Sequence, residues 1–208
     1  MWSSIIIAAL AAYMLGNLNG AFLTSYRVAG EDIRKKGSGN AGLTNFIRNY
    51  GARSAIMVVV TDMGKAVLAC LVGGAMLAPF GQEIAGRALG GLCVILGHAF
   101  PALLGFKGGK GILSGVTVAV CLDWRIGLFV FGIFLVAYWL THYVSLGSVL
   151  SSGSFGFLYA IFHWDEKFAV VVGFLLSGLI VWLHRSNIKR LLAGQERKTN
   201  LFGGGNKK

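Results

Sequence analysis

Long apolar runs separated by short polar stretches dominate the chain. Most of these runs approach the roughly 20 residues that an apolar helix needs to cross about 30 Å of hydrocarbon. Seven such segments can be drawn, at about residues 3–26, 54–79, 84–104, 111–123, 126–144, 146–163 and 168–184. The pattern predicts an all-α, polytopic integral membrane helical bundle with seven transmembrane helices, in which residues 1–208 form a single membrane domain.

The fourth segment is shorter than the others. Its 13 residues, 111–123, would rise only ~20 Å as a helix, which is less than the hydrocarbon thickness. We therefore expect a short, distorted or re-entrant helix there, and the sequence leaves open whether this segment crosses the membrane completely.

The positions of the lysines and arginines predict the orientation of the bundle. If the N-terminus lies outside and all seven segments cross, fifteen of the 19 basic residues fall on the cytosolic side, three fall outside, and Lys65 lies within a span. Such an excess is the usual mark of cytoplasmic loops. An even number of spans would place the basic C-terminal segment opposite the first basic loop. The charge pattern therefore predicts an outside N-terminus and a cytosolic C-terminus.

Composition narrows the class of protein. Hydrophobic residues make up 55% and charged residues 13% of the chain, and the mean hydropathy is +0.69, which excludes an ordinary soluble domain. The three cysteines lie in apolar segments without CxxC spacing, so we expect neither disulfides nor a metal site. The N-terminal run lacks a basic leader and a convincing cleavage site, and we interpret it as a retained first span.

Some polar and small residues lie inside the predicted spans. The run GNLNG at 16–20 is a small-xxx-small pattern that lets helices pack closely, and Gly86 and Gly90 are predicted to do the same. Asp62 and Lys65 are three residues apart, so they share a helix face and can pair. The sequence leaves open whether this pair is a packing salt bridge or supports an active site.

Three patches rich in hydrogen-bond donors lie on the predicted cytosolic side. They read GSGNAGLTNFIR at 37–48, GHAFPALLGFKGGKG at 97–111 and HRSNIKRLL at 184–192. Singly, each has an ordinary interpretation: a polar turn with an N-cap at Thr44 or Asn45, a positive-inside connector, and a basic anchor on anionic lipid. Together, three patches with many donors and few carboxylates predict a site for a doubly or multiply anionic substrate.

The glycine–lysine loop, residues 105–111, is the centre of the predicted site, although by itself such a loop is also typical of a positive-inside connector. Glycines allow backbone N–H groups to converge on an anion, and two lysines add positive charge. This is not a Walker A loop, because no glycine has the required upstream spacing, Gly111 stands where Ser or Thr is needed, and no strand leads in.

The three patches carry a family resemblance. GSGNAGLTN at 37–45, GHAFPALLGFKGGKG at 97–111 and HRSNIKRLLAGQERK at 184–198 are similar, in order and spacing, to the patterns of the bacterial acyl-phosphate:glycerol-3-phosphate acyltransferases, the PlsY family. The chain has Ala41 for the usual Pro, Leu43 for the usual Ala, and Ile-Leu-Ser at 112–114 for the common Val-Ala-Thr. Ala41 should loosen the first loop slightly, and no donor is lost from the first two patterns.

The resemblance implies a multi-pass enzyme of the bacterial cytoplasmic (inner) membrane with its active site facing the cytosol. It would move a fatty acyl group from acyl phosphate to the sn-1 hydroxyl of glycerol 3-phosphate, giving lysophosphatidic acid and phosphate in phospholipid biosynthesis. The implied partners are these two substrates and membrane lipid, with no cofactor, no metal, no nucleic acid and no obligate protein partner. Acyl phosphate is already activated, which agrees with the lack of a GxSxG nucleophile elbow.

Roles for individual residues follow as hypotheses. The N–H groups of Gly108, Gly109 and Gly111 are predicted to cradle the phosphoryl group, with Lys107 or Lys110 neutralising it. His98 could hold the loop backbone or act as a general base, and the first role is the more frequent for a lone histidine beside a turn. The catalytic residues are predicted to be Ser38, Lys110, His184 and Asn187. The substrate-binding residues are predicted to be Arg48, Asn40, Thr44, Asn45, Lys107, Gly108, Gly109, Gly111 and His98. Among them, Asn40, Thr44 and Asn45 would either shape the first loop or donate to the phosphate.

A second class of function stays open. A basic cytosolic vestibule in a seven-helix protein also suits an anion or phosphate-ester transporter, with the glycine loop as an anion site at a broken helix. Such a transporter is expected to show internal repeats, and no convincing repeat appears at half-length.

Overall fold

The computed structural model describes residues 1–199, and these residues contain helices and no strand. This confirms the all-α prediction. Three short 3₁₀ turns, Ile33–Lys35, Ala78–Phe80 and Ala102–Leu104, lie between the α-helices. The α-helices are α1 (Trp2–Asn17), α2 (Gly20–Ala29), α3 (Leu43–Tyr50), α4 (Ala52–Leu77), α5 (Glu83–Ala99), α6 (Ile112–Leu122), α7 (Trp124–Thr141), α8 (Val144–Phe162), α9 (Lys167–Leu183) and α10 (Arg185–Leu192).

Each predicted apolar segment is helical, the first as two helices, but the helices differ in their ability to span a membrane. Five stretches of the described chain are long and apolar enough: α1 with α2, α4 with its 3₁₀ turn, α5 with its 3₁₀ turn, α7 and α8. Helix α9 reaches that length only together with α10, from which it is bent by 57°. Helix α6 has 11 residues, as expected for the short fourth segment. Five or six helices are therefore capable of spanning, and the count of seven remains a prediction.

The first segment is broken, where the sequence pattern predicted one continuous helix. Helix α1 ends at Asn17 and α2 begins at Gly20. The Asn19 side chain accepts a hydrogen bond from the backbone N–H of Phe22 at 2.8 Å, the usual N-cap arrangement. The N–H of Gly20 donates to Asp62 Oδ1 at 3.1 Å. Polar side chains thus replace the backbone bonds lost at the break.

Lys65 stabilises the other side of this break. Its ammonium donates to the carbonyl of Leu18 at 2.8 Å and pairs with Asp62 Oδ1 at 2.7 Å, with both charged side chains buried. The predicted Asp62–Lys65 pair is confirmed. The same ammonium lies 2.8 Å from His98 Nδ1, so the pair connects the broken first segment to the end of α5, directly before the glycine–lysine loop.

Small residues bring the helix backbones together, as predicted. A Cβ on Gly86 would lie 2.1 Å from the carbonyl oxygen of Gly73, and one on Gly90 would be equally close to the backbone of α4. Gly16 and Gly20 approach the backbones of α5 and α4 in the same way. Substituents at these positions would force helices apart. The outer surface is apolar, as lipid contact requires, and Leu140 for example is 79% exposed.

Replacing Gly86 by valine is expected to lower the midpoint of thermal unfolding in detergent. The added side chain would overlap the α4 backbone, and overpacking of this kind costs about 1–3 kcal/mol. Gly132→Ala in α7 is the matched control, because a Cβ there meets nothing within 4 Å, and its midpoint should stay level or rise. Equal midpoints for Gly86→Val and the control would contradict the close packing of α4 and α5.

Candidate active site

The structure brings the three donor-rich patches together at one end of the bundle. The Arg34 guanidinium, three residues before the first patch, donates to the carbonyls of Leu104 at 2.5 Å and Lys107 at 3.2 Å. Within that patch, the carbonyl oxygen of Ala41 lies against the glycine–lysine loop, only 2.7 Å from where a Cβ on Gly109 would be. The Lys110 ammonium donates to Asn187 Oδ1, which joins that loop to the third patch. We call this end of the bundle, formed by residues 30–51, 100–111 and 184–199, the site face.

Asn45 organises the first patch. Its Oδ1 accepts from the backbone N–H of Ser38 at 2.9 Å, and its Nδ2 donates to the carbonyls of Lys36 and Asn40, each at 3.0 Å. The side chain is buried and its bonding capacity is used within the loop. Of its two predicted roles, these bonds favour the one in which Asn45 shapes the loop, and direct binding of a substrate stays a prediction.

The other polar groups of the first patch remain available. Helix α3 begins after Gly42 without a side-chain cap, so the N-cap interpretation of Thr44 and Asn45 is wrong. Within residues 1–199, the hydroxyls of Ser38 and Thr44 and the side-chain amide of Asn40 make no hydrogen bond. Three neutral hydrogen-bonding groups can thus reach a ligand from this loop.

Two glycines of the second patch donate their backbone N–H groups to carbonyls of the protein itself. The N–H of Gly108 donates to the carbonyl of Ala99, and that of Gly109 donates to the carbonyl of His98, both at 3.1 Å. These bonds satisfy carbonyls that the end of α5 would otherwise leave unpaired. A Cβ on Gly109 would lie 2.1 Å from His98 Nε2. Gly108 and Gly109 therefore let the loop fold back on α5, and an anion cradle formed by their N–H groups stays a prediction that requires these two bonds to open.

Gly111 has a separate position at the start of α6. Its φ of 77° lies in the left-handed region that favours glycine, and it is the N-cap of that helix. The first turn of a helix leaves N–H groups without intrahelical acceptors and favours negative charge. An anion-binding role therefore remains a prediction for Gly111, next to Lys110.

A carboxylate that the sequence pattern did not single out lies just beyond the third patch and contacts it. Asn187 Nδ2 donates to Glu196 Oε1 at 2.9 Å, and Arg190 Nε donates to Glu196 Oε2 at 2.7 Å. Burial alone would raise the pKa of Glu196, but these hydrogen bonds outweigh burial and hold the pKa below its usual value. The one signal was that Glu196 is the only acidic residue in the third family pattern, 184–198.

Burial and neighbouring positive charges lower the pKa of Lys110. Burial, followed by repulsion from Arg190, Arg48 and Arg185, lowers the pKa of Lys110 to about 8, while Glu196 acts in the opposite direction. Removing a charged group from water and placing like charges beside it both disfavour the charged form of an amine. The site face is thus a concentration of positive charge that an anionic ligand would relieve.

The C-terminal segment, residues 193–199, crosses the site face. Arg48 Nε donates to Thr199 Oγ1 at 3.0 Å, and Arg48 also donates to the carbonyl of Arg197 at 3.1 Å. The backbone N–H of Thr199 donates to the carbonyl of His142 at the end of α7, at 3.1 Å. This segment therefore holds part of the predicted phosphate-binding guanidinium. Lys207 and Lys208, which the charge pattern predicts to lie on the cytosolic side, are outside the described part of the chain.

The two predicted histidines have different surroundings. His98 Nδ1 faces the Lys65 ammonium, which can only donate, so His98 accepts at Nδ1 and packs against Gly109. This geometry favours a positioning role over that of a general base. His184 is buried, and its Nδ1–H donates to the carbonyl of Ile180 at 2.8 Å, which leaves Nε2 as an acceptor.

Lys107 is exposed, and its side chain makes no hydrogen bond within residues 1–199. Cys70, Cys93 and Cys121 are free thiols. Among the described residues, no group of three or more histidine, cysteine, aspartate or glutamate side chains could hold a metal ion.

The sequence of this chain matches a known protein family over most of its length. Residues 6–194 match the family model described as glycerol-3-phosphate acyltransferase. The glycerol-3-phosphate acyltransferase of Clostridioides difficile is 39% identical over 197 residues, covering 94% of this chain and 95% of the relative. That of Thermoanaerobacter sp. is 40% identical over 193 residues, covering 93% and 94%.

Solved structures of PlsY, an integral membrane glycerol 3-phosphate acyltransferase, share the fold. The glycerol 3-phosphate form has a TM-score of 0.82 and 30% identity, covering 96% of this chain and all of that chain. The lysophosphatidic acid form has a TM-score of 0.77 and 28% identity, covering 95% and 96%. These matches confirm the resemblance carried by the three patches. The chain therefore belongs to the glycerol-3-phosphate acyltransferase family, whose solved member PlsY is an integral membrane enzyme.

Proposed function

We propose that the protein transfers a fatty acyl group from acyl phosphate to the sn-1 hydroxyl of glycerol 3-phosphate, releasing lysophosphatidic acid and inorganic phosphate for phospholipid biosynthesis. The observation that carries this proposal is the contact between Lys110 and Asn187, which joins two separate patches into one cation-rich site. The related PlsY has been crystallised in glycerol 3-phosphate and lysophosphatidic acid forms, which supports the same acceptor and product here.

The proposed topology has seven spans, an outside N-terminus, a cytosolic C-terminus and the site face on the cytosolic side of the bacterial inner membrane. Residues 1–208 form one membrane domain, which needs membrane lipid but no obligate protein partner and no nucleic acid. Two observations support it: all seven apolar segments are helical, the first as two helices, and most basic residues flank the site face. In this arrangement the water-soluble substrate arrives from the cytosol and the acyl chain from the bilayer.

The chemistry requires two anions to be held side by side. The sn-1 oxygen attacks the carbonyl carbon of the acyl phosphate, the new ester C–O bond forms, and the anhydride C–O bond breaks with phosphate as the leaving group. Lys110 neutralises charge that develops on the leaving group, and positioning supplies much of the remaining rate gain. His184 Nε2 accepts from a hydroxyl of glycerol 3-phosphate. Hydrogen bonds from Asn187 and Arg190 hold the pKa of Glu196 below its usual value, which makes this carboxylate a weak base. A substrate phosphate oxygen takes the hydroxyl proton.

Arg48 can bind phosphate without releasing the C-terminal segment. A guanidinium has five N–H donors, and those on Nε and one terminal nitrogen contact Thr199 and Arg197. The other terminal nitrogen has no acceptor within residues 1–199. Together with Ser38, Asn40 and Thr44, it provides a set of donors for the phosphate of glycerol 3-phosphate.

The test is phosphate release by purified protein in detergent. Acyl phosphate should release phosphate only when glycerol 3-phosphate is added, and an equal amount of lysophosphatidic acid should form. No release under these conditions, together with uptake of a phosphate ester into proteoliposomes, would overturn the proposal in favour of the anion or phosphate-ester transporter.

The pH dependence of kcat/KM provides a second test. The ammonium form of Lys110 is the form that neutralises phosphate, and its pKa is lowered to about 8. Because kcat/KM reports ionisations of the free enzyme, it should fall as the pH rises through about 8. A phosphate monoester is already dianionic there, with a second pKa of about 6. A profile that stays flat to pH 10 would contradict the role of Lys110.

A further inference from the structure

Glu196 lies within the cation-rich site and is almost fully buried, with a side chain only 4% exposed. One carboxylate oxygen accepts from Asn187 and the other from Arg190. Within residues 1–199, it is the one neighbouring group whose charge favours the ammonium form of Lys110. A buried carboxylate is costly unless it is paired, so its presence in a site for anions calls for a reason.

The contacts of Asn187 supply that reason. An asparagine amide has one end that accepts and one that donates. The donating end faces Glu196, and therefore the accepting end faces Lys110. Without a carboxylate to take the Nδ2–H, the amide could rotate and present its donors to the Lys110 ammonium, where no hydrogen bond can form.

The orientation of Asn187 also determines what Lys110 can offer. An ammonium has three N–H donors. One of them is directed to Asn187 Oδ1, and no other acceptor takes the remaining two within residues 1–199. With its position held by one bond, the ammonium keeps two donors for an anion.

We propose that Glu196 is a positioning residue for acyl transfer, which holds Asn187 so that its amide oxygen directs the Lys110 ammonium to the anionic substrates. This inference rests on the proposed function and assigns a role to a residue outside the predicted catalytic set. Glu196 also provides the negative charge that offsets Arg190, Arg48 and Arg185 around Lys110 before substrate binds. Similar outer partners that orient metal ligands change activity by about 10–100-fold when removed.

Two variants separate the hydrogen bond from the charge. Glu196→Ala removes both, and kcat/KM should fall about tenfold or more, mainly through kcat, by the precedent of such outer partners. Glu196→Gln keeps an oxygen that can accept from Asn187 but removes the charge. Its kcat should stay closer to wild type, while the alkaline fall of kcat/KM should begin at lower pH, because the cations around Lys110 are no longer offset. If Glu196→Ala does not fold, the alkaline fall of kcat/KM in Glu196→Gln tests the positioning role by itself.

Glu31→Gln is the matched control, since Glu31 is an exposed carboxylate on the site face that pairs with Lys36. It makes the same change of charge and should keep the wild-type pH profile. In a Lys110→Ala background, Glu196→Gln should have little further effect, because residues that act through one another are not additive.

The outcomes distinguish this inference from the proposed function. Absence of phosphate release by the wild-type protein would overturn the proposed function and the role of Glu196 with it. Release by the wild type, combined with a wild-type pH profile and kcat for both Glu196 variants, would overturn the positioning role alone. A lower melting midpoint in Glu196→Ala with an unchanged pH profile would assign Glu196 to anchoring residues 193–199, and would also overturn it.

Discussion

Replacing Lys110 by alanine is expected to lower kcat/KM for glycerol 3-phosphate-dependent acyl transfer about 100-fold or more, as removal of a single donor to developing negative charge does in other enzymes. The variant loses the ammonium through which the glycine–lysine loop contacts Asn187. It also leaves Arg48, Arg185 and Arg190 in place, so overall attraction for anions persists. The loss should therefore appear mainly in kcat, measured as phosphate release at saturating substrate.

Lys35→Ala is the control for this experiment. Lys35 is exposed on the site face and belongs to none of the predicted binding groups, so the variant makes the same change of charge without entering the site. Its kcat/KM should stay within about twofold of wild type, as surface charges contribute little. A Lys110→Ala enzyme that matched Lys35→Ala in rate would contradict the mechanism proposed above.

Replacing Lys65 by methionine is expected to destabilise the protein by about 3–5 kcal/mol, the usual cost of removing one partner of a buried ion pair. Asp62 would keep a buried charge without its partner, and the carbonyl of Leu18 would lose its donor at the break between α1 and α2. His98 would also lose the ammonium at Nδ1. The measurement is the midpoint of thermal unfolding in detergent, compared with wild type.

Adding Asp62→Asn to Lys65→Met should recover part of the lost stability. Asparagine is neutral, and its side-chain oxygen can still accept from the N–H of Gly20, as Asp62 does. Residues in one network are expected to be non-additive by about 0.5–3 kcal/mol. Should Lys65→Met melt at the wild-type midpoint, the pair would have no role in holding the broken first segment.

Features that depend on local composition were predictable from the sequence. Apolar runs of sufficient length predicted the helices, because in hydrocarbon a backbone must satisfy its polar groups within its own segment. The close approach of Gly86 and the Asp62–Lys65 pair followed from spacing along a single helix. The three donor-rich patches were also visible, since hydroxyls, amides and cations without carboxylates indicate an anion site wherever they meet.

The hydrogen-bond partners of Asn45, Gly108 and Gly109 were not predictable, because a donor in the sequence gives no information about which acceptor it finds. Asn45 proved to bond its own loop, and the two glycines bond the end of α5. In each case the donor pairs with a carbonyl of the protein itself, because buried polar groups must be satisfied.

By itself, the sequence determined the helical class, the positions of the apolar segments, the family and the residue types available to an anion. Only the tertiary structure decided that the first segment breaks at Leu18, that Lys110 donates to Asn187, and that Asn187 in turn donates to Glu196. The physical reason is distance along the chain. Hydropathy and helix periodicity describe only a few neighbouring residues. Lys65 and Leu18 are 47 positions apart along the chain, and Lys110 and Asn187 are 77 apart. Only the packing of helices can therefore bring these groups into contact.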